Sequence, residues 1–304
     1  MNILVTNDDG VTAVGIHRLA LALKEGGHGV FVCAPAQQQS ATGHGITIGR
    51  AVRMEPVPAA DFVEAAEAFA MDGTPADCVK FGLELFENRG VKIDAVFSGF
   101  NHGMNLGTDT LYSGTVSAAV EGALCGMPAA ALSISSNFAF HKEPTHFSYA
   151  MRMAQAVARS MSGAHADSKF GYNQKKKAPS TPTPEDVFAP SESEVGLGLD
   201  YIYRDHTILN VNVPDAPEEE IRGVKAVPLS YREYEEWFDV ELDAEGKPYY
   251  RYSGRPKIVG EADADGSDIV ANRLGYATVT PLHFDLTNHR QLEAARREWG
   301  GIII

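Results

Sequence analysis

The fold is decided by the stretch Ile3-Leu4-Val5-Thr6-Asn7-Asp8-Asp9-Gly10, which joins a short apolar run to two adjacent carboxylates and a glycine. The apolar run is typical of a parallel strand that is buried on both faces. Adjacent residues of a strand point to opposite faces, so Asp8 and Asp9 can reach one ion only from the turn beyond the strand. Neighbouring carboxylates repel each other, and a hard cation offsets that repulsion. A plain solvated turn explains these eight residues equally well.

The composition is that of a globular protein and excludes several partners. The chain has 304 residues, is 44% apolar, and carries a formal net charge of −14, which disfavours binding to nucleic acid. It contains no apolar run of the length that a membrane span needs. We expect no leader peptide, because a buried strand already begins at Asn2. Three isolated cysteines, an odd number, predict a reducing, cytoplasmic location.

The first 160 residues alternate between strand and helix patterns. Buried strands are predicted at 30–35, 93–97 and 129–134, and helices at 15–26, 75–86, 113–125 and 145–161. The segment Ile46–Pro58 alternates more and is typical of antiparallel or edge pairing. This order predicts an α/β protein with a three-layer αβα, Rossmann-like, doubly wound and mostly parallel sheet.

The remainder of the chain departs from this alternation. We predict one domain over 1–304, with a core at 1–162 and 207–230 and an exposed, proline-rich insertion at 163–197. The C-terminal part, 231–304, is expected to hold a β-hairpin that turns at 243–247, a short helix at 267–274 and a strand at 276–282. We expect this late hairpin and strand to lie outside the alternating core.

Polar side chains follow three of the predicted strands, in three separate loops. In a doubly wound sheet, ligands bind outside the carboxyl ends of the strands, where such loops meet. Carboxylate, hydroxyl and amide oxygens favour Mg²⁺ or Mn²⁺ over zinc. The candidates are Asn7, Asp8 and Asp9 in the first loop, Ser40 in the second, and Ser98, Asn101 and Asn105 in the third.

The third loop leads into Ser113-Gly114-Thr115, where the next helix is predicted to begin. Ser113 suits the N-cap, Gly114 allows a ligand to approach the backbone, and the free N–H groups favour an anion. A phosphate seat beside a cation is an arrangement for phosphoryl transfer, although capping alone also explains Ser113. Other phosphate and hydrolase motifs are absent: Ile16-His17 stands where a Walker loop needs Lys-Ser/Thr, and there is no Gly-x-Ser-x-Gly elbow.

Together these motifs resemble the SurE family, the survival-protein-E nucleotidases. The resemblance covers residue 2 to about 161 and 209 to about 287. Two departures are visible. The family often has Ser-Gly in the second loop, where this chain has Ser40-Ala41, so we expect a local difference in the backbone there. The insertion at 164–195 is long, and we expect it to affect subunit contacts or the substrate entrance. The matching segments are Thr6-Asn7-Asp8-Asp9-Gly10, Ser40, 73–79, 98–105, Tyr112-Ser113-Gly114-Thr115, 275–282 and 285–287.

The resemblance implies a divalent-metal phosphatase that acts on nucleoside 5′- and 3′-monophosphates, and in some members on short polyphosphate. It also implies a homodimer or homotetramer that exchanges C-terminal elements. The implied metal ligands are Asp8, Asp9, Ser40 and Asn101, and the implied phosphate contacts are Asn105, Ser113, Gly114 and Thr115, to which we add Asn7.

We hypothesise that one of the two carboxylates, Asp8 or Asp9, orients or deprotonates the attacking water. The sequence does not show which of the two residues does so. A haloacid-dehalogenase-like phosphatase fits poorly, because Asp8 and Asp9 are adjacent and Val11 follows Gly10. The remaining alternative is a non-enzymatic sensor that binds a nucleotide or phosphate with a metal in the same pocket.

Overall fold

The chain is represented by a computed structural model, which describes residues 1–135, 144–164, 206–232, 234–235, 238–252, 255–256 and 266–299. The predicted insertion at 163–197 lies outside these residues, apart from 163 and 164, which end a helix.

The described strands form one large sheet and two small ones. Nine strands are hydrogen-bonded in the order β3-β4-β2-β1-β5-β6-β7-β13-β8. The six from β4 to β7 in that order are mutually parallel. The strands are β1 (Asn2–Thr6), β2 (Gly29–Pro35), β3 (Met54–Pro56), β4 (Glu67–Met71), β5 (Ala95–His102), β6 (Ala129–Ser135), β7 (Ile208–Pro214), β8 (Val224–Ala226), β9 (Tyr234–Glu235), β10 (Phe238–Leu242), β11 (Pro248–Tyr252), β12 (Arg255–Pro256) and β13 (Ala277–Leu282).

Helices cover both faces of the large sheet. Alternate side chains of β1 serve the two faces, so Ile3 and Val5 join one buried cluster and Leu4 joins the other. The first cluster includes residues of α1 and α4, and the second includes residues of α2 and α3. This confirms the predicted three-layer αβα architecture. The helices are α1 (Val14–Glu25), α2 (Pro75–Asn88), α3 (Gly114–Leu124), α4 (Ser148–Ala164), α5 (Asp268–Arg273) and α6 (His289–Trp299), with short 3₁₀ helices at Gly107–Leu111 and Glu218–Glu220.

The order of strands reverses at β1, which creates a crevice at the carboxyl edge of the sheet. β2, the next strand in sequence, pairs with one side of β1, and β5 pairs with the other. Doubly wound sheets bind ligands at such a switch point. The turn that follows β1, with Asp8 and Asp9, therefore lies where the topology places a ligand.

Two strands at one side of the large sheet, β3 and β4, differ from the sequence-based expectation. Only Met54–Pro56 of the predicted strand Ile46–Pro58 forms a strand, antiparallel to β4 at the sheet edge. The N–H of Thr47 is bonded to Asp77 instead, and Gly49 has a positive φ of 88°, which interrupts an extended segment. β4 was not predicted, because its sequence Glu-Ala-Phe-Ala-Met lacks β-branched residues.

Two further differences concern segments that reach the site. β5 runs on to His102 through residues that were predicted to form a loop, with an irregular ladder between Ser98 and Asn101. The late strand does not lie outside the core: β13 pairs antiparallel with β7 and parallel with β8 inside the large sheet. The prediction was wrong because β13 pairs antiparallel with β7. A strand that joins the sheet in this way does not continue the strand–helix alternation by which the core was recognised in the sequence.

The predicted hairpin is confirmed as β10 and β11, which pair across a turn at 243–247. Among the helices that the structure describes, none has the length and apolar character needed to cross a membrane.

One close approach between α1 and β5 makes a stability prediction. A Cβ atom added to Gly15 would lie 2.0 Å from the carbonyl oxygen of Phe100, which is backbone and cannot move aside cheaply. We predict that Gly15→Ala lowers the free energy of unfolding in urea by about 3 kcal/mol. The exposed neighbour Val14 supplies the control, since Val14→Ala should change it by less than about 0.5 kcal/mol. Equal effects of the two substitutions would contradict the packing.

Candidate active site

Asp8 and Asp9 occupy the turn after β1 but have different surroundings. Asp8 is almost fully buried, and its Oδ1 accepts a hydrogen bond from the hydroxyl of Thr115 on α3. Asp9 is less buried, and its Oδ2 accepts the backbone N–H of His102 at 2.9 Å. The side-chain amide of Gln38 donates to its other oxygen at 3.4 Å. The start of α3, the end of β5 and the second loop therefore all contact this pair of carboxylates.

Both carboxyl groups resist ionisation. Burial, followed by repulsion from Asp9, raises the pKa of Asp8 to about 6, although the hydrogen bond from Thr115 acts in the opposite direction. Burial also raises the pKa of Asp9, against the hydrogen bonds from His102 and Gln38. A cation between two such groups would favour their charged forms. The pair is thus electrostatically suited to a positive ligand.

Ser40 is held close to the aspartates by the second loop. The backbone N–H of Gln39 donates to the carbonyl oxygen of Asp8 at 2.7 Å. The side-chain nitrogen of Gln38 donates to Ser40 Oγ at 2.9 Å as well as to Asp9. The oxygens of Ser40 and Asp9 therefore converge on one donor nitrogen. Gln38 was missed by the sequence analysis, since a glutamine in a polar loop carries no distinctive spacing.

Asn101 completes the set of predicted metal ligands. Its Nδ2 donates to the carbonyl oxygen of Gly103 at 2.8 Å, which orients the amide and leaves Oδ1 as a potential ligand. Asn101 directly precedes His102, whose N–H contacts Asp9.

The donor set fits a hard divalent cation. Carboxylate, hydroxyl and amide oxygens suit Mg²⁺ or Mn²⁺. Within the described ranges, no group of three or more His, Cys, Asp or Glu side chains could hold a metal. The candidate site does not need a group of three such side chains, because it combines two carboxylates with neutral oxygens.

The opening of α3 forms the opposite wall of the site. Ser113 is the N-cap, and its Oγ accepts the N–H of Val116 at 3.0 Å. A Cβ atom on Gly114 would lie 2.8 Å from the Cβ of Asp8, so only glycine allows the helix to begin this close to the carboxylate. Free N–H groups at a helix N-terminus attract an anion. The predicted metal ligands and the N-terminus of α3 thus meet at the side chain of Asp8.

Two asparagines that were predicted to contact phosphate have structural partners. Asn7 is fully buried; its Nδ2 donates to the carbonyl oxygen of Gly10 at 2.8 Å, and its Oδ1 accepts the N–H of Gly10 at 3.2 Å. Asn7 therefore shapes the turn, and its contact with phosphate stays a prediction without structural support. Asn105 donates to Ser133 Oγ at 2.8 Å through one hydrogen of its amide. Its second amide hydrogen is not used in that bond.

An ionic cluster around the buried Glu121 fixes the second loop over α3. Glu121, two turns into α3, accepts hydrogen bonds from His44 Nε2 at 2.7 Å and from Lys80 at 2.5 Å. Burial acts to raise the pKa of Glu121, but the hydrogen bonds from His44 and Lys80 outweigh it and lower the pKa below its ordinary value. This cluster leaves no signal in the sequence, because the partners of His44 are distant along the chain.

Ala41 has the left-handed backbone that glycine adopts without strain. Its φ is +57°, and it is a non-glycine residue in the loop that carries Ser40. The departure noted in the sequence, alanine in place of glycine, thus falls on a residue with a left-handed backbone.

The fold and the site together define a class: an α/β protein with paired carboxylates at a sheet switch point, facing a helix N-terminus. Comparison of the chain with known protein families then identifies its family. The model of the family described as Survival protein SurE matches residues 3–236. The chain belongs to the SurE family, which confirms the resemblance seen in the sequence.

Close relatives and a solved structure span nearly the whole chain. The 5′-nucleotidase SurE of Synechococcus elongatus is 37% identical over 96% of this chain and 97% of its own. The 5′-nucleotidase SurE 1 of Thermus thermophilus is 39% identical over 97% and 96%. The crystal structure of the SurE protein from Aquifex aeolicus matches with a TM-score of 0.67 and 32% identity, covering 98% of this chain and 99% of that one.

The Glu121 cluster predicts a pH-dependent stability difference. Because the pKa of Glu121 is lowered on folding, its charge stabilises the fold above about pH 4.5, and this contribution disappears as the pH falls through the folded pKa. We predict that Glu121→Gln costs about 1–3 kcal/mol at pH 7, measured by urea unfolding. The difference from the wild type should shrink towards pH 4. The exposed Glu84→Gln serves as a control, and a gap that stays constant with pH would contradict the assignment.

The backbone of Ala41 makes a second prediction. Ala41→Gly should stabilise the chain by about 0.5–1 kcal/mol, since it removes the strain of a left-handed alanine. Ala59→Gly, at another exposed position with no positive φ, should destabilise it instead. Thermal unfolding of the two variants measures both effects, and a loss of stability in Ala41→Gly would show that the left-handed conformation is wrong.

Proposed function

We propose that this chain hydrolyses nucleoside 5′- and 3′-monophosphates to nucleoside and phosphate with a divalent cation, Mg²⁺ or Mn²⁺. Short polyphosphate is a further proposed substrate. The observation that carries the proposal is the position of Asp8. Its carboxylate faces Asp9 on one side, while the first residues of α3, Gly114 and Thr115, contact it on the other. A phosphoryl group and a cation can therefore be bound side by side.

The cation would be held by the oxygens of the first three polar loops, which are those of Asp8, Asp9, Ser40 and Asn101. When bound, it supplies positive charge to the phosphoryl oxygens and lowers the pKa of a neighbouring water.

Phosphate is bound on the helix side of the pocket. The N–H groups at the start of α3 suit an anion, and the hydroxyl of Ser113 lies at the same end. The hydroxyl of Thr115 donates to Asp8, so it must give up that bond to donate to phosphate. Asn105 adds a side-chain donor from the third loop. These donors lie next to oxygens on which negative charge accumulates as the ester bond breaks, so they stabilise the transition state more than the ground state.

The two aspartates take different parts in the reaction. Asp8 is almost fully buried and accepts a hydrogen bond from Thr115, so its carboxylate is held in one position. Asp9 is the less buried carboxylate and orients the attacking water. That water attacks phosphorus, the bond to the nucleoside oxygen breaks, and one proton of the water passes to the leaving oxygen. Asp8 and Asp9 are the catalytic residues in this proposal.

We also propose a cytoplasmic homodimer or homotetramer that uses the C-terminal elements. The exposed side of the hairpin β10–β11 supports this. Phe238, Val240 and Tyr250 are 57%, 61% and 65% exposed, an apolar surface of the kind that another copy of the chain could cover.

The test is phosphate release from a panel of nucleoside monophosphates and polyphosphate, with Mg²⁺, with Mn²⁺, and with EDTA. We expect activity only with metal. Asp9→Asn should reduce kcat by about 10³-fold or more at saturating metal, because the water loses its orienting carboxylate. The exposed Asp61→Asn is the matched control and should behave as the wild type.

Two results would refute the proposal. One is near-normal turnover by Asp9→Asn with saturating metal. The other is tight, metal-dependent nucleotide binding by the wild type without phosphate release from any substrate, which is the behaviour of the non-enzymatic sensor.

A further inference from the structure

Strand β7 carries two asparagines where a buried parallel strand ordinarily carries apolar residues. Asn210 and Asn212 are 0% and 1% exposed, within the sequence Ile-Leu-Asn-Val-Asn-Val-Pro. They are two residues apart, so both side chains leave the same face of the sheet. That face is the one covered by α2 and α3, since Ile208, two residues earlier, packs in the same cluster as Leu4 and Val116.

These two side chains bind both backbone polar groups of one residue in the third loop, Asn105. The N–H of Asn105 donates to Asn212 Oδ1 at 2.8 Å. Its carbonyl oxygen accepts hydrogen bonds from Asn210 Nδ2 at 2.8 Å and from Asn212 Nδ2 at 3.1 Å. Both backbone groups of a loop residue are thus bonded to side chains of a strand more than a hundred residues later.

The side chain of Asn105 is fixed from the neighbouring strand. Its amide donates to Ser133 Oγ on β6 at 2.8 Å. Ser133 lies in sheet register with Asn101 on β5 and with Asn212 on β7. One row of the sheet therefore connects a proposed metal ligand, Asn101, to the residues that hold a proposed phosphate ligand, Asn105.

Stability alone does not account for this arrangement. A buried amide costs free energy unless all its polar atoms are bonded, and Asn210 Oδ1 has no hydrogen-bond partner among the described residues. An apolar residue at 210 would avoid that cost. Instead, the two asparagines fix the position of the backbone at Asn105, which belongs to no helix or strand.

We propose that Asn210 and Asn212 are positioning residues, which hold Asn105 so that its free amide hydrogen meets the phosphoryl group. Asn212 contributes more than Asn210, because it binds both backbone groups of Asn105, whereas Asn210 shares only the carbonyl oxygen. The inference rests on the proposed function for its substrate, but the binding of inorganic phosphate tests it independently of hydrolysis.

The experiment compares Asn210→Leu, Asn212→Leu and Thr278→Val in the full chain. Thr278 lies in register beside Asn212 on β13 and is fully buried, and its hydroxyl has no hydrogen-bond partner among the described residues, so Thr278→Val is the matched control. The readouts are kcat and KM for a nucleoside monophosphate, the dissociation constant of inorganic phosphate by calorimetry with Mn²⁺ present, the Mn²⁺ activation constant, and the urea midpoint.

We expect Asn212→Leu to weaken phosphate binding and to lower kcat/KM by about 10²-fold, the scale of a misplaced positioning group. Asn210→Leu should have a smaller effect in the same direction. The Mn²⁺ constant should change less than threefold in both, and Thr278→Val should match the wild type throughout.

Three results would overturn the inference. The first is wild-type phosphate affinity in Asn212→Leu, and the second is equal weakening of Mn²⁺ and phosphate binding. The third is a loss of phosphate affinity and activity that the fraction of unfolded protein explains completely. If the wild type binds phosphate with Mn²⁺ but releases none from nucleotides, the proposed function fails. A graded loss of phosphate affinity in Asn210→Leu and Asn212→Leu would then still support the positioning role.

Discussion

Negative charge is crowded at the end of β1, and the rest of the site is arranged around this crowding. Asp8 and Asp9 are adjacent and desolvated, so burial raises the pKa of both, with mutual repulsion adding to that of Asp8. The N-terminus of α3 approaches Asp8 as closely as a glycine permits, and Thr115 donates a hydrogen bond to it. A helix dipole and a cation are two ways of offsetting the same charge. In the proposed function, their juxtaposition would bind the two parts of a metal phosphate complex.

Long-range hydrogen bonds hold the loops around these carboxylates. The second loop is tied to Asp8 through Gln39 and to Glu121 through His44. The 3₁₀ helix before Ser113 is tied to the C-terminal part of the chain: buried Asp268 accepts the N–H groups of Gly107 and Ser230, at 2.8 and 2.9 Å. Arg232 and Tyr234 both bond to Asp109 in the same 3₁₀ helix. Residues far apart in sequence therefore determine the geometry at the start of α3.

The parts of this architecture that could be predicted are those coded by local sequence. Periodicity predicted the helices of the parallel core and all its strands except β4. Polar residues at the strand ends pointed to three loops, from which the family resemblance selected Asp8, Asp9, Ser40 and Asn101 as predicted metal ligands. Gln38 and Glu121 could not be predicted, because their partners depend on how separate loops pack. β4 was missed for lack of β-branched residues, and β13 was misplaced because pairing between distant strands leaves no local pattern. For Asn7, the residue type suggested a ligand, but the buried turn uses its amide.

The position of β13 has a consequence for how the polypeptide can be divided. The family match ends at residue 236, yet β7 pairs with β13, which begins at Ala277. A fragment cut at that boundary would keep every proposed ligand, but would leave β7 as an open edge with unpaired backbone groups. Open edges of this kind recruit strands from other molecules. The strand that presents Asn210 and Asn212 would then be free to template aggregation, so residues 1–236 are not a separable folding unit.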